Sequence, residues 1–201
     1  CEMAIQIGLV LPGMDEAKLR LAKQVGVDGI VAGVPGQPTD GVWEYVPWVA
    51  LRKRIEDAGL KWLVSEGIPI PPRVKLGQPG RDEDIEKFIK SLRNMGRAGV
   101  PILCYNWMVG IGWARTSFTT RERGGALATS YNHEDMERGG VTELGIVKEE
   151  DLWKTLEYFL KAVVPVAEEE NVLLAMHPDD PPLSPIRGIG RIMTNVANFQ
   201  R

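Results

Sequence analysis

Several features that would define other protein classes are absent from this sequence. It has two cysteines, Cys1 and Cys104, which form neither a disulfide framework nor a CxxC pair, as is usual in a reducing cytoplasm. No apolar run approaches the roughly 20 residues that cross a bilayer, and no charged-then-apolar leader opens the chain. Lys and Arg are scattered, and the formal net charge is -3. We therefore expect a cytoplasmic protein with no nucleic-acid or membrane partner.

The size and composition of the chain suit a globular protein with a sizeable core. The sequence has 201 residues, of which 44% are hydrophobic and 25% charged. These values predict a single domain over residues 1–201. Because the chain starts at Cys1 rather than Met, we also expect it to be partial.

Strand and helix signals alternate along the chain and predict five strand–helix units. Predicted strands cover 4–11, 28–32, 61–65, 101–105 and 172–176. Predicted helices cover 15–25, 46–58, 82–98 and 148–170, with another beginning over 187–199. Pro165 should kink the fourth helix or mark a new start. Residues 68–80 are a predicted proline-rich loop, and 106–146 are a long segment typical of a lid or binding loop.

The connections between the predicted strands are long enough for parallel pairing, which makes the fold class α/β. Two architectures remain open on pattern alone. An open doubly wound sheet of five strands would be complete at this length, whereas a TIM (βα)8 barrel would be present only in its first five-eighths. No GxGxxG motif follows the first strand, so a dinucleotide-binding sheet is disfavoured.

The most informative stretch is 172–182, an apolar run that ends in His177, Asp179, Asp180 and three prolines. An unbroken apolar run is typical of a strand covered on both faces. Proline supplies no ladder donor, so the strand should end near His177. Ligands and metals are held at the carboxyl ends of strands in α/β folds. The stretch therefore predicts half of a metal or substrate site.

Three stretches carry a resemblance to a known family. They are Cys104-Tyr105-Asn106-Trp107-Met108, Trp113-Ala114-Arg115-Thr116 and His177-Pro178-Asp179-Asp180-Pro181-Pro182. In this order along the chain they resemble mannonate dehydratase, a metal-dependent sugar-acid lyase of the xylose-isomerase-like TIM-barrel group. The resemblance implies an incomplete TIM barrel with about five βα units.

The resemblance also implies a reaction, a metal and a partner. A hydro-lyase of this family removes water from D-mannonate, or a related sugar acid, to give 2-keto-3-deoxy-D-gluconate in hexuronate catabolism. It uses Mn²⁺ or Fe²⁺, and a homo-oligomer is expected at full length. Of the family's His, Cys, His and Asp metal ligands, only the first has a counterpart here, His177. We therefore expect the 201-residue chain to bind Mn²⁺ poorly and to be inactive without the C-terminal part, where the catalytic residues should lie.

Seven residues are candidates for the site, each with a structural alternative. His177 is the candidate metal ligand, and the substrate-binding candidates are Glu66, Asn106, Trp113, Arg115, Asp179 and Asp180. Arg115 could pair with a substrate carboxylate or form an ion pair within the protein. Asn106 could bind a sugar hydroxyl or close a turn, and the two aspartates could line the site or cap the loop.

The sequence also departs from the family pattern, which leaves alternatives open. The family has a paired histidine in the loop after strand two and a histidine soon after strand three. Here these loops read Gly33-Val34-Pro35-Gly36-Gln37-Pro38 and Pro71-Pro72-Arg73. An isomerase or epimerase of the same barrel group therefore stays open. So does a non-catalytic half-barrel that binds a sugar or a partner, with unpaired edge strands.

Overall fold

The computed structural model of the chain describes residues 5–11 and 13–201. Cys1 and Ala4, the first residue of the predicted strand 4–11, lie outside the described residues. Contacts group the chain into two units, each of which is described by itself. The first unit comprises residues up to 70, 80–105 and 159–175, and the second comprises 71–79, 106–158 and 176–201.

The described residues form seven strands and seven α-helices. The strands are β1 (Gly8–Val10), β2 (Gly29–Gly33), β3 (Lys61–Glu66), β4 (Ile102–Tyr105), β5 (Ser117–Arg121), β6 (Leu127–Ser130) and β7 (Leu173–Met176). The helices are α1 (Glu16–Gln24), α2 (Tyr45–Asp57), α3 (Pro72–Lys75), α4 (Arg81–Arg97), α5 (His133–Glu137), α6 (Glu149–Glu169) and α7 (Val196–Gln200), with a 3₁₀ turn at Arg123–Gly125. Within this part of the chain, no helix is both long and apolar enough to cross a membrane.

The sheet of the first unit has the order β1-β2-β3-β4-β7, and the β1–β2, β2–β3 and β3–β4 pairs are parallel. A doubly wound sheet reverses its strand order at a switch point. This sheet follows chain order throughout, as the strands of a TIM barrel do. The strand order therefore favours the barrel over the doubly wound alternative.

Large apolar side chains form the core of the first unit. Trp48 of α2 stacks on Trp62 of β3 with ring centroids 5.6 Å apart, and Phe88 of α4 meets Phe159 of α6 edge to face at 5.0 Å.

Helix starts and ends follow the local sequence. Asp15 caps α1 by accepting a hydrogen bond from Lys18 N, and the first turn of α4 is acidic while its last turn is basic.

The second unit contains structure that the sequence did not predict. Residues 68–80 include the short helix α3, which starts at Pro72, because proline's fixed φ suits the first helical turn. Residues 106–146 include the antiparallel β5–β6 hairpin and the helix α5.

Two predictions about helices need correction. Of the two alternatives for Pro165, the new start is wrong, since α6 runs unbroken from Glu149 to Glu169. Phe159, Val163 and Val166 are buried around the proline, so packing of this face offsets its lost hydrogen bond, which costs about 3 kcal/mol.

The predicted helix 187–199 is also reduced to Val196–Gln200. Gly188 has a left-handed φ of 85°. At Gly190, an added Cβ would lie 2.8 Å from the carbonyl oxygen of Val147. Ile186 and Ile189 are buried in this irregular segment, and their backbones hydrogen-bond each other.

Candidate functional site

Six of the seven candidate residues lie in the second unit, and Glu66 lies in the first. His177 follows the last residue of β7, as predicted. Its side chain is partly exposed, and its ring meets Trp113 edge to face with centroids 5.5 Å apart. Nδ1 lies 2.6 Å from the Pro178 carbonyl oxygen, which only accepts. In this contact Nδ1 is the donor, so in the neutral imidazole the lone pair lies on Nε2.

Arg115 and Asp180 contact each other in this structure. Nη1 and Nη2 of Arg115 donate to the two carboxylate oxygens of Asp180 at 2.8 and 2.6 Å. Arg115 also donates through Nε to Thr129 Oγ1 and through Nη1 to the Ala114 carbonyl. Four of its five N–H donors are therefore used. The Arg115 guanidinium holds the pKa of the Asp180 carboxyl below its ordinary value, and the same hydrogen bond raises the pKa of Arg115.

Asp179 is buried, with 3% of its surface exposed, and it fastens the loop after β7. Its Oδ2 accepts a hydrogen bond from Met193 N, and its own N–H donates to the Met193 carbonyl. Its negative charge also acts on two buried cations, Lys75 and Arg191. Asp179 therefore provides a counter-charge for Lys75 and Arg191, and its hydrogen bonds to Met193 stabilise the loop after β7.

Asn106 follows the last residue of β4 and is held by Lys75, a residue that sequence reasoning missed. Lys75 Nζ donates to Asn106 Oδ1 at 3.1 Å and to the Met108 carbonyl at 2.9 Å, and it lies 5.9 Å from the centroid of the Trp107 ring. Lys75 is only 7% exposed. Burial lowers the pKa of Lys75 to about 8, partly opposed by the charge of Asp179.

Arg191 is a second functional candidate that the sequence did not indicate. It is 2% exposed. Nη1 donates to the Ile111 carbonyl, and Nη2 donates to the Asp180 carbonyl and to Met108 Sδ, all at 2.8–3.0 Å. Burial lowers the pKa of Arg191. The one feature of the sequence that could have drawn attention to Arg191 is its place in an apolar, glycine-containing segment.

In the first unit, Glu66 is the last residue of β3 and pairs in register with Cys104 of β4. Both are partly exposed. Burial raises the pKa of the Cys104 thiol, with a smaller contribution from the charge of Glu66. A thiol with a raised pKa is a poor metal ligand because the thiolate is the ligating form. Burial also raises the pKa of Tyr105 to about 12.

The described residues do not amount to a divalent-metal site. Among residues 5–11 and 13–201, no group of three or more His, Cys, Asp or Glu side chains could hold a metal ion. Catalytic metal sites usually have at least three protein ligands, and His177 could supply one. A metal-dependent reaction would therefore need ligands beyond those described here.

The fold and these residues together define a barrel-type α/β protein with polar side chains at its strand ends. Residues 3–146 and 142–201 match the family described as D-mannonate dehydratase (UxuA), and the chain belongs to the mannonate dehydratase family. Mannonate dehydratase 2 of Halalkalibacterium halodurans is 35% identical over 212 residues, which cover 93% of this chain and 61% of that protein.

Solved structures agree with the family and the fold. The crystal structure of mannonate dehydratase from Streptococcus suis serotype 2 has a TM-score of 0.88 and 36% identity, covering 98% of this chain and 58% of that one. A structure of L-ribulose 3-epimerase has a TM-score of 0.60 at 16% identity, covering 98% of this chain and 55% of that one, which shows the fold alone. The incomplete TIM-type barrel is therefore confirmed, and this chain spans about three fifths of the relatives it matches.

Proposed function

We propose that this chain is part of a metal-assisted hydro-lyase that removes water from D-mannonate, or a related sugar acid, to give 2-keto-3-deoxy-D-gluconate. The observation that carries this proposal is the match along nearly the whole chain to mannonate dehydratases, in sequence and in structure. In the reaction, a proton leaves the carbon beside the carboxylate and the neighbouring hydroxyl departs as water. The resulting enol then becomes a ketone.

Residues of this chain would bind and orient the sugar acid rather than complete the chemistry. Asn106 is partly exposed and would hydrogen-bond a substrate oxygen. Arg115 has one N–H left beyond its bonds to Asp180, Thr129 and Ala114, so it could give a carboxylate one hydrogen bond without releasing its partners. Trp113 would shape the space beside His177. Glu66, Asp179 and Asp180 also remain proposed substrate-site residues.

Mannonate dehydratases are generally metal-dependent. His177 is the proposed metal ligand of this chain because Nδ1 contacts the Pro178 carbonyl and leaves Nε2 as the nitrogen that could bind a metal. Mn²⁺ or Fe²⁺, the role in hexuronate catabolism, the cytoplasmic location and the homo-oligomer all stay predictions from the sequence. So do the single domain over 1–201 and the lid at 106–146.

The test is a dehydration assay on the complete gene product and on the 201-residue chain, each with D-mannonate and Mn²⁺. We expect the complete protein to form the 2-keto-3-deoxy acid and the 201-residue chain to form none. Replacing His177 by Ala should abolish the activity of the complete protein, and Lys154→Met, an exposed change on α6, should preserve it.

The related reactions are tested with the same protein preparations. Conversion of an aldose or ketose to its isomer, with D-mannonate unchanged, would instead support an isomerase or epimerase. Sugar binding without any conversion by the complete protein would support the non-catalytic half-barrel. The departures in the loops after strands two and three are the reason to include both assays.

A further inference from the structure

We propose that Lys75 is a positioning residue that turns the carboxamide of Asn106 so that Asn106 acts on the sugar acid only as a hydrogen-bond donor, through Nδ2. This inference rests on the proposed function and names the group that would contact a carboxylate or hydroxyl oxygen of the substrate.

Two donors converge on Asn106 Oδ1, Lys75 Nζ at 3.1 Å and the backbone N–H of Met108 at 3.1 Å. An ammonium group and a backbone N–H can only donate. If the carboxamide were flipped, its NH₂ group would face both donors and both hydrogen bonds would be lost. The chemistry of the two partners therefore determines which end of the carboxamide is oxygen.

The Nδ2 donors of Asn106 are then the free end of the side chain. Asn106 Nδ2 makes no hydrogen bond within the part of the chain that the structure describes, although the residue is only partly exposed. Asn106 directly follows the last residue of a parallel strand, β4, where ligands bind in barrel folds. At this position the Nδ2 group can donate a hydrogen bond to an oxygen of the sugar acid. Asn106 Oδ1 cannot accept from a substrate hydroxyl, because it already accepts from Lys75 and Met108.

The contacts of Lys75 are concentrated on the segment that carries Asn106. Its ammonium binds Asn106 Oδ1 and the Met108 carbonyl and lies over the Trp107 ring. Thr155 Oγ1 donates to the Lys75 carbonyl at 2.7 Å, which holds the backbone of Lys75 in place. Burying an ammonium is costly without such partners. The buried ammonium group of Lys75 therefore finds its partners in residues 106–108, and these contacts fix the conformation of that segment.

Two variants separate positioning from simple structural support. Asn106→Asp keeps an oxygen facing Lys75 and Met108 N–H, and it removes the Nδ2 donors. Lys75→Met removes the ammonium and keeps an unbranched side chain of similar length. Lys154→Met, on the exposed face of α6, is the matched control. Thermal melts of all variants report whether each one folds.

Ligand binding is followed by NMR on the 201-residue chain titrated with D-mannonate. The probes are the Nδ2 amide signals of Asn106, assigned by their loss in Asn106→Asp, and the indole N–H of Trp113. We expect both probes to shift in wild type and in Lys154→Met. Asn106→Asp should bind D-mannonate about 10-fold or more weakly while melting no lower than wild type. In Lys75→Met the Asn106 signals should broaden and affinity should fall.

Three results would count against the inference. Wild-type affinity in Asn106→Asp would overturn it, because the donors would then be dispensable. A shift of the Trp113 signal without any shift of the Asn106 signals would overturn it while leaving the proposed function in place. If neither signal shifts at any D-mannonate concentration, the proposed sugar-acid site itself is wrong, and the role of Lys75 falls with it.

Discussion

The guanidinium of Arg115 binds the carboxylate of Asp180 through two parallel hydrogen bonds of 2.8 and 2.6 Å. The two residues are 65 positions apart in the sequence. Their pairing ties the segment that precedes the β5–β6 hairpin to the loop that follows β7. Both side chains are partly exposed, so water and salt weaken the pair relative to a buried one. Its main effect is to set the geometry of both segments.

The Arg115–Asp180 pair should be visible in the titration of Asp180. Because Arg115 lowers the pKa of the Asp180 carboxyl, the pair's contribution to stability is full above the unfolded-state pKa and is lost as pH falls through the lower folded-state pKa. Arg115→Lys cannot form the bidentate pair, so the Asp180 midpoint should rise toward its ordinary value. Carbon-13 NMR of the Asp180 carboxyl measures this midpoint. Arg138→Lys should leave it unchanged, and equal midpoints in both variants would contradict the prediction.

Lys75 should make the stability of the chain depend on alkaline pH. Its pKa is about 8 in the folded state, below its ordinary value of 10.5. Between these two pH values the unfolded state binds more protons, so the free energy of unfolding should rise with pH, by on the order of 3 kcal/mol at most. Denaturant titrations of wild type and Lys75→Met from pH 7 to 10.5 should therefore differ in slope. Parallel curves would show that the ammonium is not desolvated.

Removing the charge of Asp179 should lower the pKa of Lys75 further, because that charge opposes the effect of burial. In Asp179→Asn, the Lys75 midpoint followed by NMR should fall below about 8. Stability should also fall at neutral pH, since two buried cations lose a counter-charge. Asp135→Asn changes an exposed carboxylate on α5 and should move neither quantity.

Two leucines on adjacent strands test where the core of the first unit lies. Leu103 of β4 is 0% exposed, whereas Leu173 of β7 is 68% exposed. Leu103→Ala should lower the free energy of unfolding by about 2–5 kcal/mol through lost burial and a cavity. Leu173→Ala should change it by about 0.5 kcal/mol or less. Similar losses in both, measured by denaturant unfolding, would contradict the described strand faces.

The 201-residue chain should bind Mn²⁺ weakly, because the described residues bring no three metal-ligating side chains together. Isothermal titration calorimetry with Mn²⁺ should show no tight stoichiometric binding, and His177→Ala should change the trace little. Tight one-to-one binding by the chain would require a set of ligands different from the one proposed here.

Much of the fold could be predicted from the sequence because its strands and helices carry strong local signals. The apolar runs of β2, β3 and β4 and the helices α1 and α4 were placed within a few residues. The β5–β6 hairpin was missed because Ser117, Thr119 and Thr120 give no alternation of apolar and polar residues. The segment 187–195 was wrongly predicted to be helical. It contains Gly188, whose left-handed φ does not suit a helix.

The site was predictable only where a residue follows a strand directly. His177 and Asn106 lie just past β7 and β4, as their positions in the sequence implied. The pairing of Arg115 with Asp180 could not be predicted, because it joins residues that are 65 positions apart. Lys75 was missed for a different reason. The sequence of a proline-rich loop does not indicate that its lysine is buried. Only Pro71-Pro72 indicates the start of the helix that contains Lys75.

Arg191 determines how far the protein can be shortened. Its guanidinium donates hydrogen bonds to the carbonyl oxygens of both Ile111 and Asp180, and Arg191 lies near the last described residues. Any deletion that removes it would leave two carbonyl oxygens without their donor, in the segments 106–115 and 177–180, which carry six of the proposed site residues. Engineers who seek a minimal fragment should keep the chain through Arg191, and protease cleavage before it should release both segments at once.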